Sequence, residues 1–239
     1  MKYVKGWWKD LAMSDEARPS PTIEDYLGVI YTLARDGERV IGARLADSLD
    51  VSAPTVTATL KRMERDGWIM IGVDKVITLT EQGRTMAMSV IRRHMLTEWM
   101  LSRVLKLPFS ELHREAHHIE HTLSSEVEER LKTEMDDPRF CPHGNPLPGF
   151  EDEVSQWQPL SQVSVDQDVV LKRIHENIED QYERLTFLEA SGLTPGTRIR
   201  VLDRMPFNET MRILVDGKPV TLGLNLAELL YVQLISLDD

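Results

Sequence analysis

The stretch 41-IGARLADSLDVSAPTVTATLKRMERDGWIMIGVDKVITLTEQG-83 decides how the front of this chain folds. Ile41 to Leu49 reads as a short amphipathic helix, Asp50-Val51-Ser52 as a tight corner, and Ala53 to about Arg65 as a second helix stopped at Asp66-Gly67. Two helices joined by so brief a corner read as a helix-turn-helix. Directly behind them, Trp68–Ile71 and Lys75–Leu79 are strand-like runs linked by Gly72-Val73-Asp74, a hairpin signal. A helix-turn-helix followed at once by a hairpin is a winged helix. Upstream, Pro19 and Pro21 precede Thr22, which is expected to cap a helix over 22–35 whose apolar residues Ile23, Tyr26, Leu27, Ile30, Tyr31 and Ala34 recur at helical spacing, closed by Asp36-Gly37.

Downstream, Thr80-Glu81-Gln82-Gly83 starts a long helix through about Val104, and Pro108-Phe109-Ser110 leads into another from about Glu111 to Met135. Met86, Val90, Leu96, Met100 and Leu101 suit a subunit interface as well as a core. From Asp136 to Pro159 the proline- and glycine-rich text reads as a linker. Beyond it, 163–174, 197–203, 211–215, 219–222 and 230–235 look like strands, with a helical stretch over 175–191, which describes a small, mostly β domain built as a partly open barrel. The fold class is mainly α with a small β domain: a leader over 1–20, a winged helix over 21–92, a helical domain over 93–150 and a C-terminal domain over 151–239.

With 239 residues the chain can bury a substantial core, and no apolar run approaches the roughly 18 residues of a membrane span. The first twenty residues lack the apolar stretch of a secretory signal. One cysteine, Cys141, allows no intrachain disulfide, so the expected compartment is the cytoplasm. The net charge of −11 is unevenly spread: residues 1–17 are neutral, residues 18–95 carry +1, and residues 96–239 carry −12. The front half can therefore approach a phosphate backbone while the back half can hold cations.

The chemistry concentrates in His113-Arg-Glu-Ala-His117-His118-Ile-Glu120-His121. At about 100° per residue, His113, His117, Glu120 and His121 fall within an arc of roughly 100° on one helix face. His113 and His121 stand roughly 12 Å apart along the axis, too far for one ion with bonds near 2.1 Å, so the spacing asks for two metal sites per subunit. His94 and Glu98, an i, i+4 pair on the preceding helix, join His113 in one site; His117, Glu120 and His121 form the other and need a further ligand from elsewhere. Imidazole with carboxylate suits Mn(II), Fe(II), Co(II) or Zn(II), and the lack of sulfur leans toward Mn(II), with Fe(II) next. A different reading takes His117-His118-Ile-Glu120-His121 as the H-x-x-E-H motif of a zinc metallohydrolase with Glu120 as general base. A winged helix has no role in a peptidase, which weighs against it. Cys141-Pro-His143-Gly is read as a structural turn rather than a ligand pair, and no other nucleophile motif is present, so no enzyme is expected.

With these residues in place, the sequence resembles the diphtheria-toxin-repressor family of iron- and manganese-dependent transcriptional repressors. The likeness runs from about Thr22 to the C-terminus and is strongest in Pro54-Thr-Val-Thr57, Arg62-Met-Glu-Arg-Asp-Gly67, Leu79-Thr-x-x-Gly-Arg84, Glu120-His121-x-Leu-Ser-x-Glu126 and Cys141-Pro-His-Gly-Asn-Pro-Leu-Pro148. The resemblance implies a winged helix, a metal-holding dimerisation domain and an SH3-like C-terminal domain. It places the primary site on Asp25, His117, Glu120 and His121 and the ancillary site on His94, Glu98 and His113, with Asp180 and Glu183 as ligands from the third domain. Asp25 matches the family's manganese branch, His117 matches neither branch, and Gly28 stands where that branch carries a further glutamate, so its closely spaced metal pair is not expected.

The implied function is repression of metal-uptake genes by a dimer that grips a palindromic operator in double-stranded DNA when Mn(II) or Fe(II) is bound. An ion shared by Asp25 and the His117–His121 ligands favours one relative angle of two recognition helices that must be spaced by a turn of DNA or a multiple of it. Ser52, Pro54, Thr55, Thr57 and Ala58 open the recognition helix and are expected to read methyl groups and DNA shape, with Arg44, Lys61, Lys75 and Arg84 on phosphates.

Overall fold

Apolar periodicity turns into packing as soon as the chain is described. A computed structural model covers residues 18–179 and 181–235, so the reading of the leader, most of which precedes residue 18, and that of Asp180 lie outside the described residues. The fold divides into two compact units, one made of the described residues up to His94 together with Ile119–Thr133, the other of Met95–His118 with the chain from Glu134 onward.

In the first unit, helix α1 (Pro21–Arg35) buries Ile23, Tyr26, Leu27, Ile30 and Tyr31 on one side. Its cap is Ser20 rather than Thr22, because Pro21 takes the first helical position, where a missing N–H costs nothing. Helix α2 (Gly42–Ser48) and helix α3 (Ala53–Arg65) meet at a corner where Asp50 adopts φ of 49° and the Ser52 hydroxyl accepts the Thr55 N–H. Only Val56, Leu60 and Met63 of α3 are buried, which leaves its other face to solvent. Strands β1 (Ile69–Ile71) and β2 (Ile77–Leu79) pair antiparallel with Ile69 opposite Leu79, completing the winged helix. Helix α4 (Glu81–Arg103) begins where Thr80 Oγ1 accepts the Gly83 N–H; a Cβ on Gly83 would meet the Trp68 carbonyl oxygen at 1.9 Å, so only glycine lets the helix start this close to β1.

The single helix expected over 111–135 is two helices, α5 (Leu112–Glu120) and α6 (Ser125–Glu134). Ser124 begins α6, its carbonyl accepting the Glu128 N–H and its hydroxyl the Val127 N–H. Arg93 donates from Nε to the Glu120 carbonyl at 3.0 Å, so α5 ends there with a side-chain partner. A continuous polar and apolar rhythm hides such a break because the Thr122-Leu-Ser-Ser turn keeps helical spacing on both sides.

The second unit is built on one antiparallel sheet in the order β3-β8-β4-β5-β6-β7, from β3 (Gln158–Pro159), β4 (Asp168–Ile174), β5 (Arg198–Met205), β6 (Thr210–Val215), β7 (Lys218–Gly223) and β8 (Leu230–Leu234). Helix α7 (Tyr182–Ala190) and the short α8 (Leu224–Ala227) close over a core of Leu160, Leu171, Ile174, Leu185, Leu188, Val201, Ile213 and Val232. The strand expected from Val163 starts only at Asp168, because Leu160–Gln162 is a 3-10 turn and Asp166 takes φ of 65°.

The stretch read as a linker is instead woven into this unit: Phe140 bridges Pro146, and Cys141, His143, Asn145 and Leu147 are buried. The His143 carbonyl accepts the Ile174 N–H and Asn145 Nδ2 donates to the Ile174 carbonyl, both at 2.8 Å. Proline and glycine here serve a packed, irregular segment whose backbone bonds run within the segment, as from Cys141 N–H to the Asn145 carbonyl, and at His143 to the sheet.

Candidate metal centre

Helix α1 presents Glu24 and Asp25 in succession, Glu24 buried and Asp25 partly exposed, while α5 ends on buried Glu120 and hands the chain to His121. Asp25, Glu120 and His121, all in the first unit, each offer a ligand atom within 4.8 Å of the others. His121 Nε2 lies 3.0 Å from Asp25 Oδ1 and 3.3 Å from Glu120 Oε1. Its Nδ1 donates to Glu24 Oε2 at 2.6 Å. Hydrogen bonds to Asp25 and Glu24 push the imidazole up to about 10, so its second proton is held by carboxylates that a cation would satisfy better. Two carboxylates and one imidazole nitrogen converging on a half-buried spot fit a hard or borderline divalent ion.

Arg93, wholly buried, donates from Nη2 to Glu24 Oε1 at 2.7 Å and from Nη1 to Ser89 Oγ at 3.0 Å, besides its bond to the Glu120 carbonyl. His94 Nδ1 stands 2.5 Å from Glu120 Oε2, so this histidine, grouped by spacing with Glu98 and His113, leans on Glu120 within the first unit. His117 precedes Glu120 by three residues on α5, exposed, in the part of the helix that belongs to the second unit.

The second unit has its own donor group. Glu98 from α4, His113 from α5 and Glu179 from the turn after β4 offer ligand atoms within 4.8 Å of one another, and Glu98 and Glu179 also belong to a wholly buried set with Cys141 and His143. His113 Nδ1 is 2.9 Å from Glu179 Oε2 and 3.8 Å from Glu98 Oε1; His143 Nδ1 is 3.1 Å from Glu98 Oε1 and 3.5 Å from Glu179 Oε1. Burial alone would push the His143 imidazole down, but Glu98 and Glu179 outweigh it and hold it above its ordinary value. Burial, reinforced by the same two carboxylates, raises the Cys141 thiol well above its ordinary value.

Glu183, expected as a ligand from the third domain, is exposed on α7 and takes no part in this group; the carboxylate beside His113 is that of Glu179. Sequence reading missed Glu24 and Glu179, and took Cys141 and His143 for a structural turn. Glu24 was legible as the neighbour of Asp25 on a helix start, whereas Cys141 and His143 gain meaning only when the fold brings Glu98 to them.

On α3 and its corner, Ser52, Pro54, Thr55, Thr57, Ala58 and Lys61 are exposed, as is Lys75 at the hairpin tip with φ of 62°. Ser52 and Thr55 share a hydroxyl–hydroxyl bond of 2.8 Å, and Thr57 Oγ1 donates to the Ala53 carbonyl. Arg44 is ion-paired with Glu38, and the Arg84 guanidinium sits 5.7 Å from the Tyr31 ring centre, so Lys61 and Lys75 are the less engaged of the four expected cations.

Three family models match in sequence order: "Iron dependent repressor, N-terminal DNA binding domain" over residues 20–75, "Iron dependent repressor, metal binding and dimerisation domain" over 80–149, and "FeoA domain" over 158–234. The chain is 33% identical over 230 residues to the iron-dependent repressor IdeR of Mycobacterium leprae, covering 89% of this chain and 96% of that one. It is 32% identical over 221 residues to the diphtheria toxin repressor of Corynebacterium diphtheriae, with the same coverage. Among solved structures, a manganese-dependent transcriptional repressor in complex with manganese aligns with a TM-score of 0.78 at 28% identity, covering 89% of this chain and all of the other. ScaR with bound Zn2+ aligns with a TM-score of 0.73 at 30% identity, covering 91% of this chain and all of the other. Among the described residues no helix is long and apolar enough to cross a membrane. A winged helix, a dimerisation domain and a FeoA domain in this order, matched along nearly the whole length of such relatives, mean that the chain belongs to the diphtheria-toxin-repressor family of iron- and manganese-dependent transcriptional repressors.

Proposed function

We propose that this chain is a cytoplasmic, homodimeric repressor of metal-uptake genes that grips a palindromic operator when Mn(II) or Fe(II) is bound. The observation that carries the reading is the convergence of Asp25, from the first helix of the DNA-binding unit, with Glu120 and His121 from the segment that returns to it. Such a set holds α1 in one place relative to the end of α5, and a pair of recognition helices spaced for adjacent major-groove turns follows from holding both copies alike. The metal supplies charge: it offsets the carboxylates of Glu24, Asp25 and Glu120 that otherwise hold a second proton on His121.

For the ancillary set we propose Glu98, His113 and Glu179 of the second unit. The carboxylate beside His113 is that of Glu179, one residue before the Asp180 that the resemblance implied, which supports a register one residue shorter. Cys141 and His143 share Glu98 and Glu179, and a thiol there makes the second group softer than the first, better suited to Zn(II) or Fe(II) than to Mn(II). The preference for Mn(II), which rested on an absence of sulfur, therefore applies to the primary set alone.

Nothing favours the metallohydrolase reading: the carboxyl oxygens of Glu120, its general base, face His94 and His121. The deciding experiment is fluorescence anisotropy on a labelled duplex from the protein's own promoter region, at fixed salt, with Mn(II), anaerobic Fe(II) or chelator, for the native chain and Asp25→Ala. Tight binding should need metal and disappear in the variant. Affinity indifferent to both would overturn the proposal.

A further inference from the structure

We propose that Arg93 and Glu24 are positioning residues of the first donor group: the guanidinium fixes Glu24 and the end of α5, and Glu24 holds the His121 ring with Nε2 toward Asp25 and Glu120. The inference rests on the reading of Asp25, Glu120 and His121 as metal ligands and extends it to two side chains that do not themselves reach the ion.

An ionised carboxylate only accepts, so the 2.6 Å contact between Glu24 Oε2 and His121 Nδ1 puts a proton on Nδ1. That leaves Nε2, the nitrogen facing Asp25 at 3.0 Å and Glu120 at 3.3 Å, as the one whose lone pair can go to a cation. Without Glu24 the ring is free to exchange tautomers or rotate, and part of its population would present the wrong nitrogen.

Glu24 is fixed in turn from behind. Its Oε1 accepts from Arg93 Nη2 at 2.7 Å, and both side chains are buried, at 0% and 2% exposure. The same guanidinium directs Nε to the Glu120 carbonyl and Nη1 to Ser89 Oγ. The Glu120 carbonyl belongs to the last turn of α5, where intrahelical donors run out, so Arg93 ends the helix at the residue before His121. One rigid fork thus sets the main chain at one ligand and, through Glu24, the ring of the next. A lysine ammonium is a point charge on a flexible stem and cannot reproduce these three directions.

The test compares Glu24→Ala, Glu24→Gln, Arg93→Lys and Asp25→Ala in the full-length chain. Mn(II) affinity is measured by the electron paramagnetic resonance of free Mn(II), and the ring nitrogens of His121 are followed by 15N resonance in the Zn(II)-loaded protein. Glu24→Ala should weaken Mn(II) by about 10–100-fold, the usual loss for an outer partner of a metal-bound histidine, and should mix the two nitrogen forms. Glu24→Gln, whose amide oxygen still accepts from Nδ1 but whose NH2 then faces the Arg93 guanidinium, should keep the single Nε2-bound signature while recovering only part of the affinity. Arg93→Lys should resemble Glu24→Ala; should it fail to fold, as metal-free circular dichroism would reveal, the Glu24 pair decides alone. Unchanged affinity and an unmixed signature in Glu24→Ala, with binding lost in Asp25→Ala, would overturn the positioning role alone. Binding unchanged in Asp25→Ala as well would overturn both this inference and the ligand reading beneath it.

Discussion

At Gly144 the backbone takes φ of 87°, and a Cβ would stand 1.9 Å from the Lys172 carbonyl oxygen. Both the left-handed conformation and the contact with main chain exclude a side chain. Gly144→Ala should therefore destabilise the second unit by about 3 kcal/mol, at the upper end of ordinary single substitutions, visible as a lowered urea midpoint with an unchanged slope. The neighbours of this glycine explain why part of the site escaped sequence reading. His143 and Asn145 meet their partners Glu98, Glu179, Ile174 and Arg173 only across long stretches of chain, and no local spacing encodes such meetings. Glu120 and His121, by contrast, could be singled out because a helix face displays its donors at fixed angles, whereas Asp25 came from the family resemblance. Asp180 and Glu183 rested on the resemblance alone, and a slip of one residue separates Asp180 from the carboxylate of Glu179 that sits beside His113.

Helices and strands were legible where punctuation is strong. The helix α3 runs from Ala53 to Arg65, as its Ser52 cap and Asp66-Gly67 stop imply, and the hairpin follows from Gly72 and Asp74. The break between α5 and α6 was not legible, since the side chain that meets the end of α5, Arg93, comes from another helix. A similar long-range cap joins α7 to the 3-10 turn at Phe109–Glu111, where Glu189 accepts from the backbone N–H groups of Phe109 and Ser110 and from Ser110 Oγ. Burial pushes the Glu189 carboxyl upward, but these three donors outweigh it and hold the value below the ordinary 4.5. A depressed carboxyl stabilises the fold above its unfolded value, and that stabilisation is lost as pH falls through the folded value. Glu189→Gln should therefore unfold at lower denaturant than the native chain at pH 7, and the gap should close as the medium is acidified below about pH 4.5. A gap independent of pH would assign the effect to shape rather than charge.

For the molecule as a whole, a net charge of −11 disguises a DNA-binding protein because all the excess acid lies behind residue 95. Lys61, exposed on α3, is expected to act on phosphate rather than on bases, so Lys61→Ala should weaken binding alike on operator and unrelated duplex and reduce the slope of log K against log salt by about 1. A loss confined to the operator would place it on a base instead. The segment over 141–148 bears on the molecule in another way. Cys141, the sole cysteine of the chain, is 3% exposed and lies in a segment held against β4 by His143 and Asn145. Protection from oxidants is thus a service of the C-terminal sheet. A shortened descendant lacking that sheet would keep its winged helix yet carry a bare thiol in place of a sheltered one, open to attack by peroxide.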